Sequence, residues 1–138
     1  MHDVGLHPRT GADRVIVAID SMQPEGMLPL VDELLDLGIQ WFKVGLATWI
    51  SGGAQFVNEL RTRNARVFLD LKLHDIPHQV RLATAAAAAS GAELLTIHAA
   101  GGADMIQAAK EGAGGLAQVL AVTVLTSLPS SEQEVLSR

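Results

Sequence analysis

This sequence predicts an α/β fold on parallel strands, and within that class an eight-stranded (βα)8 TIM barrel. Two observations carry the prediction. Apolar, β-prone runs begin about every 25 residues, at residues 15–19, 41–44, 67–71, 94–97 and 119–124, with helix-like stretches between them. Each run also ends in polar residues: Asp20, then Lys43, then Asp70 and Lys72, then His98, and lastly Thr126 and Ser127. The repeat alone fits a barrel or a doubly wound sheet, since both join parallel strands by right-handed crossovers. Polar groups at successive strand ends favour the barrel, which gathers its functional groups from several strands at one rim. A doubly wound sheet collects them at a single switch point, and no GxGxxG follows the first run.

Taken in order, residues 1–13 read as a polar lead-in and residues 14–138 as one part of a single barrel domain. The segment MHDVGLHPRTGADR has no apolar run behind a basic stretch, so it does not read as a secretory signal. The continuous apolar strands suit a sheet buried on both faces. Helices are expected over residues 26–37, 54–63, 80–90 and 104–111. Gly38, Gly91 and Gly112 follow three of them, as glycine often does at helix C-termini. The alanine-rich run 83–89 suits a helix packed close to a sheet. Residues 112–115 read as a flexible loop, and Trp41 and Trp49 as packing residues. A complete barrel takes about 200–250 residues, whereas this sequence covers four βα units and a fifth strand. The expectation is therefore that an isolated 138-residue chain associates or packs loosely and lacks activity.

Composition narrows the function. The net charge is −5, with no basic cluster and only 4% aromatic residues, which argues against nucleic acid as a partner. No apolar stretch is long enough to span a membrane. With no cysteine, disulfides and thiolate metal sites are excluded, and a cytoplasmic setting is expected.

The chemistry concentrates in residues 70–77, Asp-Leu-Lys-Leu-His-Asp-Ile-Pro. Strand alternation puts Asp70 and Lys72 on one face and turns Leu69, Leu71 and Leu73 toward the helices. Asp75 lies just beyond, where Pro77 interrupts regular structure. Lys43, from the preceding strand, completes a set of two positive and two negative charges that compensate one another. A structural ion-pair network is the competing explanation for such a set.

These residues carry a family resemblance. FLDLKLHDIPHQV is similar to the signature of orotidine 5'-phosphate decarboxylases. VAID at 17–20, FKVG at 42–45, TIHAAGG at 96–102 and AVTVLTS at 121–127 resemble the family's other strands in order. The resemblance implies cofactor-free decarboxylation of orotidine 5'-phosphate to uridine 5'-phosphate, in a homodimer with shared sites. It makes Lys72 the proton donor to C6 of the pyrimidine and puts Asp70 beside the substrate carboxylate. Lys43 would hold Asp70 and a ribose hydroxyl, Asp20 would bind the ribose, and Asp75 would enter the partner subunit's site. Ile76 and Gln79 fall on substrate-binding positions, and Thr126 and Ser127 beside the pyrimidine. Gln79 stands where the family usually has threonine. The family's phosphate-gripping glutamine and arginine come from later strands, beyond Arg138.

Related phosphosugar barrels, such as keto-gulonate-phosphate decarboxylases, resemble the Asp-x-Lys-x-x-Asp core but use a metal ion and lack the Ile-Pro that follows. A non-catalytic half-barrel is the remaining alternative. His74 and His78 have the i, i+4 spacing of a helical metal site, but Pro77 between them argues against one. His98 reads as a hydrogen-bonded strand-end histidine, and Gly101-Gly102 as a plain turn.

Overall fold

The computed structural model describes residues 11–131. Five parallel strands form one sheet: β1 (Ile16–Ile19), β2 (Trp41–Gly45), β3 (Arg66–Leu73), β4 (Leu94–His98) and β5 (Gln118–Val122). Their spatial order is β1-β2-β3-β4-β5, so each strand pairs with its neighbour in sequence. Among the described residues no strand is inserted out of order, and the sheet has no switch point. Of the expected lead-in, residues 1–10 lie outside the described residues, as do residues 132–138 of the expected domain.

Four helices return the chain between strands: α1 (Leu28–Asp36), α2 (Leu46–Thr62), α3 (Pro77–Ala89) and α4 (Gly102–Ala113). The core lies between them and one face of the sheet. Phe42, Val44, Val67, Leu69 and Leu95 from the strands pack with Phe56, Val57 and Leu60 of α2. A second cluster joins Ile97 to Val80, Met105 and Ala109 beneath α3 and α4. Residues that alternate with these, among them Lys43, Asp70 and Lys72, are left on the sheet's other face. Trp41 is buried and Trp49 packs against the core, as expected. Among the described residues no helix is long and apolar enough to cross a membrane.

Several boundaries differ from the sequence expectation. The second helix starts at Leu46, directly after β2, and continues through a kink at Gly53, whose backbone (φ 56°, ψ −154°) is non-helical. Pro77 opens α3 instead of delaying it, because a first-turn position needs no N–H donor and proline's fixed φ suits it. The fourth helix runs past Gly112 and is capped by left-handed Gly114, so residues 112–115 are not a loop throughout. Gly112 is there for packing. A Cβ on it would overlap the Arg81 carbonyl and the Thr84 hydroxyl of α3, so glycine permits the close approach of α3 and α4. Gly38 (φ 90°) and Gly91 (φ 100°) adopt left-handed conformations just after α1 and α3, as their positions predicted.

Candidate functional site

Acidic and basic side chains meet at the C-terminal ends of β1, β2 and β3. Asp70, near the end of β3, accepts a hydrogen bond from Lys72 Nζ at 2.7 Å on its Oδ1. Its other oxygen, Oδ2, lies 3.5 Å from Lys43 Nζ of β2. Lys43 is also 3.9 Å from Oδ1 of Asp20, the residue after β1. The result is a chain of alternating charge, Asp20–Lys43–Asp70–Lys72, across three adjacent strands. Asp20 is the open end, with its side chain 69% exposed, while that of Asp70 is 15% exposed.

Local backbone geometry assembles this chain. Parallel pairing sets Asp70 opposite Gly45, two residues beyond Lys43, so the side chains of Lys43 and Asp70 lean together across the strand boundary. Gly45 leaves the space that Asp20 occupies: a Cβ there would sit 2.7 Å from Asp20 Oδ1 and 3.7 Å from Lys43 Nζ. Beyond Asp70 the pairing of β3 with β4 changes register. Leu69 faces Leu95, but Leu73 already faces Ile97. Lys72 lies inside this bulge with φ 49°, in the left-handed region that L-residues seldom adopt.

Asp70 is a deliberate anion. Burial acts to raise its pKa, yet hydrogen bonds from Lys72 and Thr96 and the positive charges of Lys72 and Lys43 outweigh burial and hold it below the ordinary carboxylate value. Beside it opens a cavity of about 570 Å³ whose lining includes Phe68, Asp70, Lys72, Thr96, Leu125, Thr126 and Ser127. A site of this size presents an ammonium held beside a carboxylate, with hydroxyl-bearing residues also in its lining. It suits a small ligand on which charge develops during reaction.

The family model described as Orotidine 5'-phosphate decarboxylase / HUMPS family matches residues 13–135. The chain belongs to this family. It is 47% identical over 129 residues to the Orotidine 5'-phosphate decarboxylase of Synechococcus sp. (strain WH7803), covering 88% of this chain and 51% of that protein. It is 56% identical over 89 residues to the protein of the same name from Anaeromyxobacter sp. (strain K), covering 64% of this chain and 39% of that one. Among solved structures, the Orotidine 5'-phosphate decarboxylase of Lactobacillus acidophilus superposes with a TM-score of 0.75 at 34% identity, over 86% of this chain and 62% of that one. The chain thus spans about half the length of the curated relatives it matches. Its sheet is the first part of the βα barrel of the orotidine 5'-phosphate decarboxylase family.

Within this decarboxylase-family chain the remaining candidates are distributed as follows. Thr126 and Ser127 follow β5 and line the cavity. Asp75, Ile76 and Gln79 are exposed, in the turn before α3 and on its first turn. Asp75 Oδ1 accepts a hydrogen bond from the Ile76 amide at 2.7 Å, and none of the ion pairs among the described residues includes Asp75. Within one chain Asp20 joins Lys43, Asp70 and Lys72 in the alternating charges, while Asp75 is exposed in the turn that follows the β3 bulge. His74 precedes α3 while His78 lies on its first turn, so the two share no helical face. His74 stacks obliquely on His98 with ring centroids 5.2 Å apart.

One residue escaped sequence reasoning. Thr96 of β4 is buried, its hydroxyl donates to Asp70 Oδ1 at 2.9 Å, and it accepts the Lys72 amide N–H, also at 2.9 Å. The signal was available. Alternation puts Thr96 on the same inward face as His98, and a hydroxyl on an otherwise apolar strand interior requires polar partners.

Proposed function

We propose that this chain is the N-terminal part of an enzyme that decarboxylates orotidine 5'-phosphate to uridine 5'-phosphate, without a cofactor, in pyrimidine biosynthesis. The observation that carries the reading is the Lys72–Asp70–Lys43–Asp20 chain at the strand ends of a member of this family. Loss of carbon dioxide leaves an electron pair on C6 of the pyrimidine. Lys72 supplies preorganised positive charge to that carbon and then its proton, so the C–C bond pair becomes a C–H bond. Asp70 holds the ammonium in position and faces the substrate carboxylate. Lys43 neutralises Asp70 and reaches, with Asp20, toward the ribose hydroxyls. Thr126 and Ser127, in the lining of the cavity, lie beside the pyrimidine, and Ile76 and Gln79 contribute from the turn before α3 and its first turn.

Asp75, exposed and outside the ion-pair chain, enters the site of a second copy in a homodimer. The phosphate contacts come from the later barrel strands, and the setting is cytoplasmic. The test is turnover of orotidine 5'-phosphate by the complete enzyme, with and without a chelator. Production of uridine 5'-phosphate that survives chelation supports this reading. Dependence on added magnesium, with turnover of a keto-sugar phosphate instead, would favour the metal-using relatives.

A further inference from the structure

The bulge in β3 leaves Lys72 with two requirements that the strand ladder does not meet. Its amide N–H has lost a backbone acceptor, and its φ of 49° is an unfavourable conformation for a lysine. Both bear on where the ammonium sits, because the side chain leaves from that Cα. The Thr96 hydroxyl, reached from the neighbouring strand, answers the first by accepting the Lys72 N–H at 2.9 Å. It spends its own proton on Asp70 Oδ1 at 2.9 Å, the same oxygen that takes the Lys72 ammonium at 2.7 Å.

The four groups close a ring: Lys72 N–H to Thr96 Oγ1, Thr96 O–H to Asp70 Oδ1, and Lys72 Nζ back to that oxygen. A single hydroxyl thus fixes both ends of the lysine, its backbone directly and its ammonium through the carboxylate. The ring also commits Oδ1, so Oδ2 is the oxygen turned to Lys43 at 3.5 Å. Thr96 is almost fully buried (4% exposed), so water is a poor substitute for its hydroxyl.

We propose that Thr96 is a positioning residue that locks the strained backbone of Lys72 and the rotamer of Asp70, and so sets where the proton-donating ammonium stands. The inference rests on the proposed decarboxylase reading for its effect on turnover, and on geometry alone for its effect on Asp70. Valine is the informative replacement, since it keeps the branched shape and removes the hydroxyl. Serine keeps the hydroxyl and loses a methyl.

The experiment compares wild type, Thr96→Val and Thr96→Ser in the complete enzyme by two readouts. The first is the titration midpoint of the Asp70 carboxyl, followed by ¹³C NMR. The second is kcat and KM for orotidine 5'-phosphate. Thr96→Val should raise the Asp70 midpoint and lower kcat by roughly tenfold to a hundredfold, the scale of a small misplacement of a reacting group, with KM little changed. Thr96→Ser should bring both back close to wild type. A valine variant with the wild-type Asp70 midpoint, or a serine variant as impaired as the valine, overturns the proposal. A lower thermal stability with Asp70 titration and kcat unaltered also overturns it, since the residue would then be structural only. Absence of turnover in all three proteins would refute the decarboxylase reading, and the titration would still decide the role of Thr96.

Discussion

Lys72 Nζ donates to Asp70 Oδ1 across 2.7 Å, although the two residues are separated by only one position on a strand that bulges between them. In a regular strand their side chains would stand side by side, roughly 7 Å apart at the root. The bulge and the left-handed Lys72 backbone give the lysine an approach of its own. Lys72→Ala is therefore expected to lower turnover of orotidine 5'-phosphate by the complete enzyme far more than tenfold, which is about 1.4 kcal/mol. The fold should persist, because the lysine lies at the rim and outside the apolar core. Steady-state kinetics with a circular dichroism spectrum checks both halves. Activity within tenfold of wild type would remove Lys72 as the proton donor.

Asp70 also predicts a pH dependence. Its folded pKa is held below the ordinary carboxylate value by Lys72, Thr96 and Lys43, so ionised Asp70 adds stability that is present above the unfolded pKa. That contribution is lost as pH falls through the folded value. Removing the charge with Asp70→Asn deprives Lys72 of its carboxylate and leaves Lys43 with only the more exposed Asp20. The stability gap between wild type and Asp70→Asn should be widest near pH 7 and should narrow below about pH 4. Urea unfolding at a series of pH values measures it. A gap independent of pH would show that the ion pairs with Lys72 and Lys43 contribute nothing net.

Gly45 is predicted to act on binding. A methyl group there would sit 2.7 Å from Asp20 Oδ1, and the exposed Asp20 side chain can swing away into solvent. Gly45→Ala should thus leave stability nearly intact and raise KM by about tenfold, equivalent to ~1.4 kcal/mol of binding. An unchanged KM would separate Asp20 from substrate binding.

The opposite end of the sheet offers a control. Arg66, at the start of β3, donates to Glu93 Oε2 at 2.6 and 2.9 Å, and its guanidinium lies 4.1 Å over the Trp41 ring. Arg66→Ala should cost about 1–2 kcal/mol of stability through the lost pair and cation–π contact, and leave kcat unchanged. Chemical denaturation and kinetics on the same sample test this separation of stability from activity.

The edges of the sheet lead to a prediction about the isolated polypeptide. Among the described residues the outer strands β1 and β5 each pair on one side only, and Val15 before β1, Ile16 in it and Leu120 in β5 are exposed. Unpaired strand edges with apolar neighbours invite association. Expressed alone, residues 1–138 should run above monomer mass in light scattering. A compact, stable monomer would contradict this.

Two things about this protein were determined by its sequence alone. The spacing of apolar runs and their polar ends implied five parallel strands in sequential order, because a period of that length leaves room for one crossover helix and no more. The same alternation put Lys43, Asp70 and Lys72 on a shared face, and DxKxxDIP carried the family. Tertiary structure decided the rest. That Asp20 joins the charge chain within one chain, while Asp75 is exposed outside it, depends on the course of the turn after β3, which strand periodicity does not describe. That Gly45 and Gly112 are spacers depends on what approaches them from Asp20 and from α3. The role of Thr96 depends on a bulge in β3 and on partners 24 and 26 residues away in the chain. A hydroxyl's two hydrogen bonds are set by through-space neighbours, and no local pattern of residues encodes them.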